Sequence, residues 1–107
     1  SGMHGDGSSV SYAASKAAIM QMTRSAAIEL ARDHIRVNAL APGYVMTDLN
    51  RDFLTSDAGI KLQKRTALRR FATSAELMPA LLFLLDPANS YMTGETLTID
   101  GGMSASL

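Results

Sequence analysis

The sequence predicts an α/β fold in which parallel strands alternate with helices. Three observations support it: an alanine-rich helix at 10–32, a strand at 35–41 that follows after a short connection, and a helix at 74–85 that precedes a last strand at 96–100. Short helix-to-strand connections are typical of α/β units, in which a right-handed crossover joins parallel neighbours. The order of these elements therefore predicts the last part of a parallel α/β sheet.

The length and the charge limit the possible functions. A chain of 107 residues is the size of one domain, and its segment 1–9 has the glycine-rich composition of a loop that leads directly into the helix. We therefore expect the chain to be part of a larger single domain. Ten basic and ten acidic residues give a formal net charge of zero without a basic cluster, so nucleic acid is not an expected partner.

The composition also argues against disulfide, metal and membrane functions. There is no cysteine, and His4 and His34 are the only histidines, so neither a disulfide framework nor a metal centre is expected. The longest apolar run, 77–85, is too short to cross a bilayer, and the N-terminus lacks the pattern of a signal peptide. We expect a soluble, cytoplasmic protein with no membrane partner.

Tyr12 and Lys16 are the most informative residues of the long helix. They are four positions apart and therefore lie on the same helical face. A nearby ammonium group and the positive end of the helix dipole both favour the phenolate, so we expect the pKa of Tyr12 to be lowered. A tyrosine tuned in this way can act as a general acid and base. Taken alone, the spacing also fits an amphipathic tyrosine beside a solvated lysine.

Two rows of side chains follow this helix, and Ser8, Ser9 or Ser11 is its expected N-cap. The first row has helical spacing, and its C-terminal part is expected to reach the core. It consists of Tyr12, Lys16, Ile19, Thr23, Ala26 and Leu30. The second row is small enough to pack on a partner helix, on a second subunit or within the chain; it consists of Ala13, Ala17, Met20, Ala27 and Ala31.

The segment after the strand at 35–41 is a candidate ligand site. Pro42 and Gly43 stop this strand with a turn. Ligands bind beyond the carboxyl ends of the strands in open α/β sheets, so the turn can bring backbone groups close to a cofactor. Taken alone, a Pro-Gly pair indicates only a turn.

The segment 44–72 has an irregular pattern. Thr47 is the expected N-cap of a short helix that ends near residue 53 or 54, residues 55–59 break this helix, and residues 60–65 can form another turn or two. Short helices with polar breaks are typical of a mobile lid and equally of an irregular surface excursion.

The helix at 74–85 follows a capping box. Thr73 and Glu76 have the spacing at which each side chain can bind the backbone of the other residue. The leucine-rich sequence predicts a largely buried helix. Pro79 is expected to kink it, because proline lacks an amide hydrogen.

Three segments occur in order along the chain: Tyr12-Ala13-Ala14-Ser15-Lys16, then Ile35-Arg36-Val37-Asn38 leading into Ala41-Pro42-Gly43-Tyr44-Val45-Met46-Thr47, and Thr-Gly-Glu-Thr-Leu-Thr-Ile-Asp-Gly-Gly at 93–102. Together they resemble the C-terminal half of a short-chain dehydrogenase/reductase. The resemblance covers essentially the whole chain and is closest to 3-oxoacyl-carrier-protein reductases and gluconate 5-dehydrogenases. It implies that the chain forms the C-terminal part of a Rossmann-like, doubly wound parallel sheet.

The resemblance implies roles for particular residues. Tyr12 would exchange a proton with the oxygen of an alcohol or ketone while hydride moves to or from NAD or NADP. Lys16 would lower the pKa of Tyr12 and bind the nicotinamide ribose. Four further residues would lie against the nicotinamide: Pro42, Gly43, Val45 and Thr47. The resemblance also implies a homodimer or homotetramer in which the long helix forms part of a four-helix interface.

Some features of that family are absent from this sequence. They are the first strands, the glycine-rich dinucleotide turn and the helix with the active-site asparagine, while the catalytic serine would fall before residue 1, so Ser1 is not assigned its role. We therefore expect an NAD(P)-dependent oxidoreductase that interconverts a secondary alcohol and a ketone, with little activity in this chain alone. The alternative is a non-catalytic dimerisation or regulatory fragment that retains the helix interface.

Overall fold

The computed structural model describes the backbone of residues 7–106 and the side chains of residues 10–105. The helices in this part are α1 (Gly7–Leu30), α2 (Arg51–Leu54), α3 (Asp57–Arg65) and α4 (Met78–Leu85), and the strands are β1 (Ala39–Pro42) and β2 (Thr96–Ile99). Short 3-10 turns extend α1 (Ala31–Asp33), precede α4 (Ser74–Leu77) and follow β2 (Ser104–Ser106). This order agrees with the helix, strand, irregular segment, helix and strand expected from the sequence.

The two strands form a parallel sheet. Ala39 lies opposite Thr96, and Pro42 lies opposite Ile99. The predicted parallel α/β arrangement is therefore confirmed. The hydrogen bonding continues past the end of β1, where the Gly43 N–H donates to the Ile99 carbonyl at 3.0 Å. Because the strands are parallel, the residues that follow them share the carboxyl edge of the sheet.

The first strand is shorter than the predicted range 35–41, since β1 begins only at Ala39. The residues before it are held by another set of hydrogen bonds. The Val37 N–H donates to the Thr93 hydroxyl at 3.0 Å, and the Val37 carbonyl accepts from the Gly94 N–H at 2.7 Å. This part of the chain is therefore fastened to the loop before β2 without a regular strand ladder.

The long helix starts earlier than expected. α1 begins at Gly7, so the predicted loop is wrong for residues 7–9, while residues 1–6 lie outside the described part. The three serines proposed as its N-cap all lie within the helix. The α-helix ends at Leu30, and the 3-10 turn continues it to Asp33, in agreement with the predicted end near residue 32.

The buried face of α1 is narrower than the predicted core row. Thr23 and Ala27 are buried, and the Thr23 hydroxyl is satisfied by donation to the Ile19 carbonyl at 2.6 Å. The Ile19 side chain, however, is 41% exposed. The alanine row is divided, because Ala27 packs within the chain while Ala13 and Ala17 are exposed. Only the C-terminal half of α1 therefore contributes buried side chains to the core, as expected.

Helix α3 begins within the predicted break at 55–59. Ser56 caps it, since its side chain accepts a hydrogen bond from the Gly59 N–H at 3.3 Å. The break is therefore wrong for residues 57–59, whereas α2 ends at Leu54 as expected. Leu54 and Leu62 are buried and anchor these two helices.

The predicted capping box precedes α4. The Thr73 N–H donates to the Glu76 carboxylate at 2.9 Å, and this contact confirms the predicted capping box. The segment then divides into a 3-10 turn and α4, which begins at Met78. Pro79 lies in the first turn of α4, where a helix does not need its amide hydrogen. The predicted kink within one continuous helix is therefore wrong.

The apolar helix α4 is not buried as expected. No side chain of this helix is buried in the described structure, and Leu82 and Leu85 are 59% and 66% exposed. Its sequence predicted burial because it is apolar on every side. α4 instead presents an apolar surface to the outside of this chain.

Glu76 also forms a two-pronged ion pair with Arg70, with nitrogen to oxygen distances of 2.7 and 2.6 Å. The hydrogen bond from Arg70, followed by the one from the Thr73 N–H, lowers the pKa of Glu76 to about 2. The contribution of Glu76 to stability is therefore complete above its unfolded pKa of 4.5 and is lost as the pH falls through about 2.

Replacement of this residue by glutamine (E76Q) is expected to remove that pH dependence. Urea unfolding at a series of pH values should show a stability difference between the native chain and E76Q at neutral pH. The difference should shrink steadily as Glu76 becomes protonated. A difference that stays constant down to pH values near 2 would show that the ion pair does not stabilise the fold.

Candidate active site

Tyr12 lies in the N-terminal part of α1 and reaches the carboxyl edge of the sheet. Its hydroxyl donates a hydrogen bond to Asp100 Oδ2 at 2.8 Å. Asp100 directly follows β2, and its side chain is half-buried. The helix is thus connected to the edge at which ligands bind in open α/β sheets.

The Asp100 carboxylate is the centre of this cluster. Besides the Tyr12 hydroxyl, Oδ2 accepts from the Ser104 hydroxyl at 2.6 Å and from the Ser104 N–H at 2.9 Å. The Gly102 N–H donates to Oδ1 at 3.0 Å. Burial raises the pKa of Asp100, but the hydrogen bonds from Ser104, Tyr12 and Gly102 outweigh it, so the pKa lies below its ordinary value.

Lys16 reaches the same segment through a different residue. Its Nζ donates to the Ser104 hydroxyl oxygen at 3.0 Å. Tyr12 and Lys16 therefore share one helical face, as their spacing predicted, and both lie against the residues that follow β2. The ammonium group binds Ser104, whereas the phenol binds Asp100.

The pKa of Tyr12 is raised to about 12, and the expectation that Lys16 lowers it is wrong for this structure. Burial is the main cause. The negative charge of Asp100 and the hydrogen bond to it also favour the protonated phenol, with a small contribution from Tyr44, while the nearby Ser104 side chain opposes the rise. Tyr12 is therefore a protonated hydroxyl at neutral pH.

The turn at Pro42 and Gly43 lies beside this cluster. A Cβ atom at Gly43 would lie 2.8 Å from Cβ of Asp100, so only a glycine allows the two segments to approach this closely. Pro42 is exposed at the end of β1. The structure therefore brings Tyr12, Lys16 and Gly43 together around Asp100 and Ser104.

Val45 and Thr47 lie further along the same segment. Val45 pairs with Ala72 in an isolated bridge, and its carbonyl accepts from the Asn50 side chain at 2.9 Å. The Thr47 N–H donates to the Asn50 side-chain oxygen at 2.8 Å, so Thr47 is not the N-cap that its sequence position predicted. No hydrogen bond joins Val45 or Thr47 to Tyr12, Lys16 or Asp100 among the residues described.

A cavity of about 140 Å³ lies next to Asp100. Tyr44 and Ile99 form part of its wall, and Arg70 and Glu76 contribute their ion pair. The Tyr44 ring packs edge-on against Phe71, with ring centres 6.3 Å apart. The carboxylate that holds Tyr12 therefore borders an open space.

Asp100 and Ser104 were not identified as site residues from the sequence. The rule that pointed to Pro42 and Gly43 also applies to Asp100, because a carboxylate directly after a parallel strand lies at the same edge. No pattern in the sequence pointed to Ser104 as a site residue. The contacts of both residues with α1 connect positions 88 apart in the sequence.

The described residues give no indication of a metal centre or a membrane span. Within residues 7–106, no group of three or more histidine, cysteine, aspartate or glutamate residues is arranged to hold a metal ion. In the same range, no helix has the length and apolar character needed to cross a membrane.

Comparison with known proteins decides the family. Residues 2–104 match the family model described as enoyl-(acyl carrier protein) reductase. A solved short-chain dehydrogenase/reductase from Serratia marcescens, a double mutant, superimposes with a TM-score of 0.78 and 33% identity over 94% of this chain and 40% of that chain. This chain belongs to the short-chain dehydrogenase/reductase family. The resemblance drawn from the three sequence segments is therefore confirmed.

The relatives of this short-chain dehydrogenase/reductase include both groups expected from the sequence. The 3-oxoacyl-(acyl-carrier-protein) reductase of Thermotoga maritima is 40% identical over 102 residues, or 95% of this chain and 41% of the relative. The 5-keto-D-gluconate 5-reductase of Escherichia coli is 41% identical over 93 residues, or 86% of this chain and 37% of the relative.

A solved structure of a 4-hydroxyisoleucine dehydrogenase mutant, complexed with NADH and succinate, is also similar. It superimposes on this short-chain dehydrogenase/reductase with a TM-score of 0.75 and 28% identity over 90% of this chain and 40% of that chain. The chain spans about two fifths of the length of these relatives.

Proposed function

We propose that this chain forms the C-terminal part of a longer NAD(P)-dependent oxidoreductase that interconverts a secondary alcohol and a ketone. The observation that carries the proposal is the convergence of Tyr12 and Lys16 on the carboxyl edge of the parallel sheet, next to the Gly43 turn. Membership of an oxidoreductase family supports it.

Tyr12 is the proposed acid and base. Its phenol is protonated at neutral pH and can donate a proton to a carbonyl oxygen during reduction. In the reverse direction, the phenolate would accept the proton of an alcohol. A bound nicotinamide dinucleotide would supply or accept the hydride.

Lys16 is proposed to bind the cofactor next to Tyr12. Its ammonium group has three hydrogens, and one of them is directed at the Ser104 hydroxyl. The others are suited to sugar hydroxyls such as those of a ribose. Lys16 would in this way hold a cofactor beside Tyr12.

The residues after β1 fit one side of such a cofactor. The Val45 N–H has no acceptor in the part of the chain that the structure describes, and the exposed Thr47 side chain has no hydrogen-bond partner there. Both groups are donors suited to a carboxamide, and Pro42 and Gly43 bring the backbone to the same edge. The NADH complex of 4-hydroxyisoleucine dehydrogenase supports a nicotinamide dinucleotide, and both NAD and NADP are within the proposal.

The test is an assay of the longer oxidoreductase with NAD(H) and NADP(H) against a panel of secondary alcohols and ketones. We expect a change in nicotinamide absorbance that depends on the substrate. Little change is expected with the 107-residue chain alone, since it has no glycine-rich dinucleotide turn. If no substrate of the panel gives turnover in the longer protein, the proposed activity is wrong.

We further propose that the protein assembles as a homodimer or homotetramer, as the resemblance to the family implies. We also propose that it acts in the cytoplasm, which fits its cysteine-free composition. The apolar side chains Met22 and Ile28 on α1 are 71% and 81% exposed. These exposed residues support assembly through α1, and they also favour the non-catalytic alternative of a dimerisation fragment. Turnover of the longer protein that is lost in Y12F would exclude that alternative.

A further inference from the structure

Two residues outside the proposed catalytic pair lie between its members. We propose that Asp100 and Ser104 are positioning residues that hold the Tyr12 hydroxyl and the Lys16 ammonium at two separate acceptors, and that Asp100 keeps the proton on Tyr12. The role of Tyr12 in this inference rests on the proposed function. The hydrogen bonds themselves do not depend on it.

The geometry gives Asp100 a fixed orientation. Its two carboxylate oxygens accept hydrogen bonds from Gly102, from the backbone and side chain of Ser104, and from Tyr12, at 2.6 to 3.0 Å. The backbone of Gly43 lies directly against the Asp100 Cβ. The carboxylate therefore cannot turn away from Tyr12 without breaking several contacts at once.

The separation of the two acceptors has a chemical consequence. The Tyr12 hydroxyl is hydrogen-bonded directly to the Asp100 carboxylate, whereas the Lys16 ammonium is hydrogen-bonded to Ser104. The pKa of Tyr12, about 12, lies far above that of Asp100, so the shared proton stays on the phenol. Asp100 therefore acts as the acceptor that holds this proton and not as a base that removes it.

The phenol has a single proton, and this makes Asp100 a competitor of the substrate. Tyr12 cannot donate to Asp100 and to a substrate carbonyl at the same time. In the oxidation direction, the nearby negative charge opposes formation of the phenolate that must accept the alcohol proton. Removal of the Asp100 charge is therefore expected to ease ionisation of Tyr12.

The other ionisable groups around Tyr12 do not cancel this effect. Lys16 lies on the same helix, and Tyr44 lies in the segment after β1. On the cavity side of Asp100, Arg70 and Glu76 neutralise each other in their ion pair. Asp100 is thus the charged group that is hydrogen-bonded directly to the phenol, while the Lys16 ammonium lies on the other side of Ser104.

The first test replaces Asp100 by asparagine (D100N) in the 107-residue chain and follows tyrosine ionisation by ultraviolet absorbance. The Tyr12 titration is identified as the transition that is lost in Y12F. Because burial is the main cause of the raised pKa and persists in D100N, we expect the midpoint to fall below about 12 but to stay above the ordinary value of 10. A midpoint that stays the same in folded D100N, as judged by circular dichroism, would overturn the proposal.

A reciprocal measurement covers the case in which D100N does not fold. Y12F removes one hydroxyl from a half-exposed side chain, so the fold should persist. Because Tyr12 donates to Asp100, its loss should raise the pKa of Asp100, measured by carbon NMR of the carboxyl group. An unchanged Asp100 titration in Y12F would overturn the proposal.

The pH profile of the longer oxidoreductase separates this inference from the proposed function. In D100N, the pH at which carbonyl reduction declines should move to lower values, together with the Tyr12 titration. A profile that keeps its native midpoint despite a shifted titration would overturn the catalytic part of the inference. Absence of turnover in the native protein would instead overturn the proposed function, and the two titrations would still decide whether Asp100 holds the Tyr12 proton.

Discussion

Replacement of Tyr12 by phenylalanine (Y12F) is expected to lower turnover of the proposed longer oxidoreductase by a factor of about 10² to 10⁴, the usual contribution of a general acid. The substitution removes the only group of this side chain that can exchange a proton. It retains the ring, so packing at the start of α1 should not change. Initial rates of nicotinamide oxidation with a ketone substrate would measure the loss.

Tyr91 provides a matched control for this substitution. It is fully exposed in the loop before β2, and no hydrogen bond of the described residues involves its side chain. Y91F should therefore retain native turnover. If Y12F is as active as Y91F, Tyr12 is not the acid of the reaction.

Replacement of Gly102 by alanine (G102A) is expected to destabilise the fold by about 2–4 kcal/mol, measured as the free energy of unfolding in urea. Two effects add. The backbone of Gly102 has a φ of +88°, which alanine adopts only with strain, and the new Cβ would lie 2.6 Å from Cβ of Ala67. The Gly102 N–H also donates to Asp100, so G102A should disturb the site as well.

The neighbouring glycine separates the two effects. Gly101 also has a positive φ, +63°, but a Cβ there would have its nearest neighbour, Thr66, at an ordinary 3.6 Å. G101A should therefore show the cost of backbone strain alone, about 1 kcal/mol. Equal losses in G101A and G102A would mean that residue 67 does not pack closely against this turn.

Local patterns predicted the features that depend on local geometry. The four-residue spacing of Tyr12 and Lys16 placed both on one face of α1, and the spacing of Thr73 and Glu76 predicted the capping contact. The Pro-Gly pair marked the edge of the sheet, since β1 ends at Pro42 and Gly43 makes the last hydrogen bond to Ile99. These features are set by positions close together in the sequence.

The predictions that were wrong depend on distant parts of the chain. The pKa of Tyr12 was expected to follow Lys16, its neighbour on the helix, but it follows burial and Asp100, which is 88 positions away. The exposure of α4 is likewise set by what packs against it, and an apolar pattern does not contain that information. Spacing placed Tyr12 and Lys16 on one helical face, whereas only the folded chain shows which charge acts on the phenol.

The two hydrogen bonds across 88 positions also matter for protein engineering. Asp100 and Ser104 follow β2, in a segment without regular strand structure where a library of stabilising variants would ordinarily place many substitutions. Because they hold Tyr12 and Lys16, substitutions there are expected to change the pKa of Tyr12 as well as stability. Variants in residues 100–104 should therefore be screened for pH dependence as well as for melting temperature.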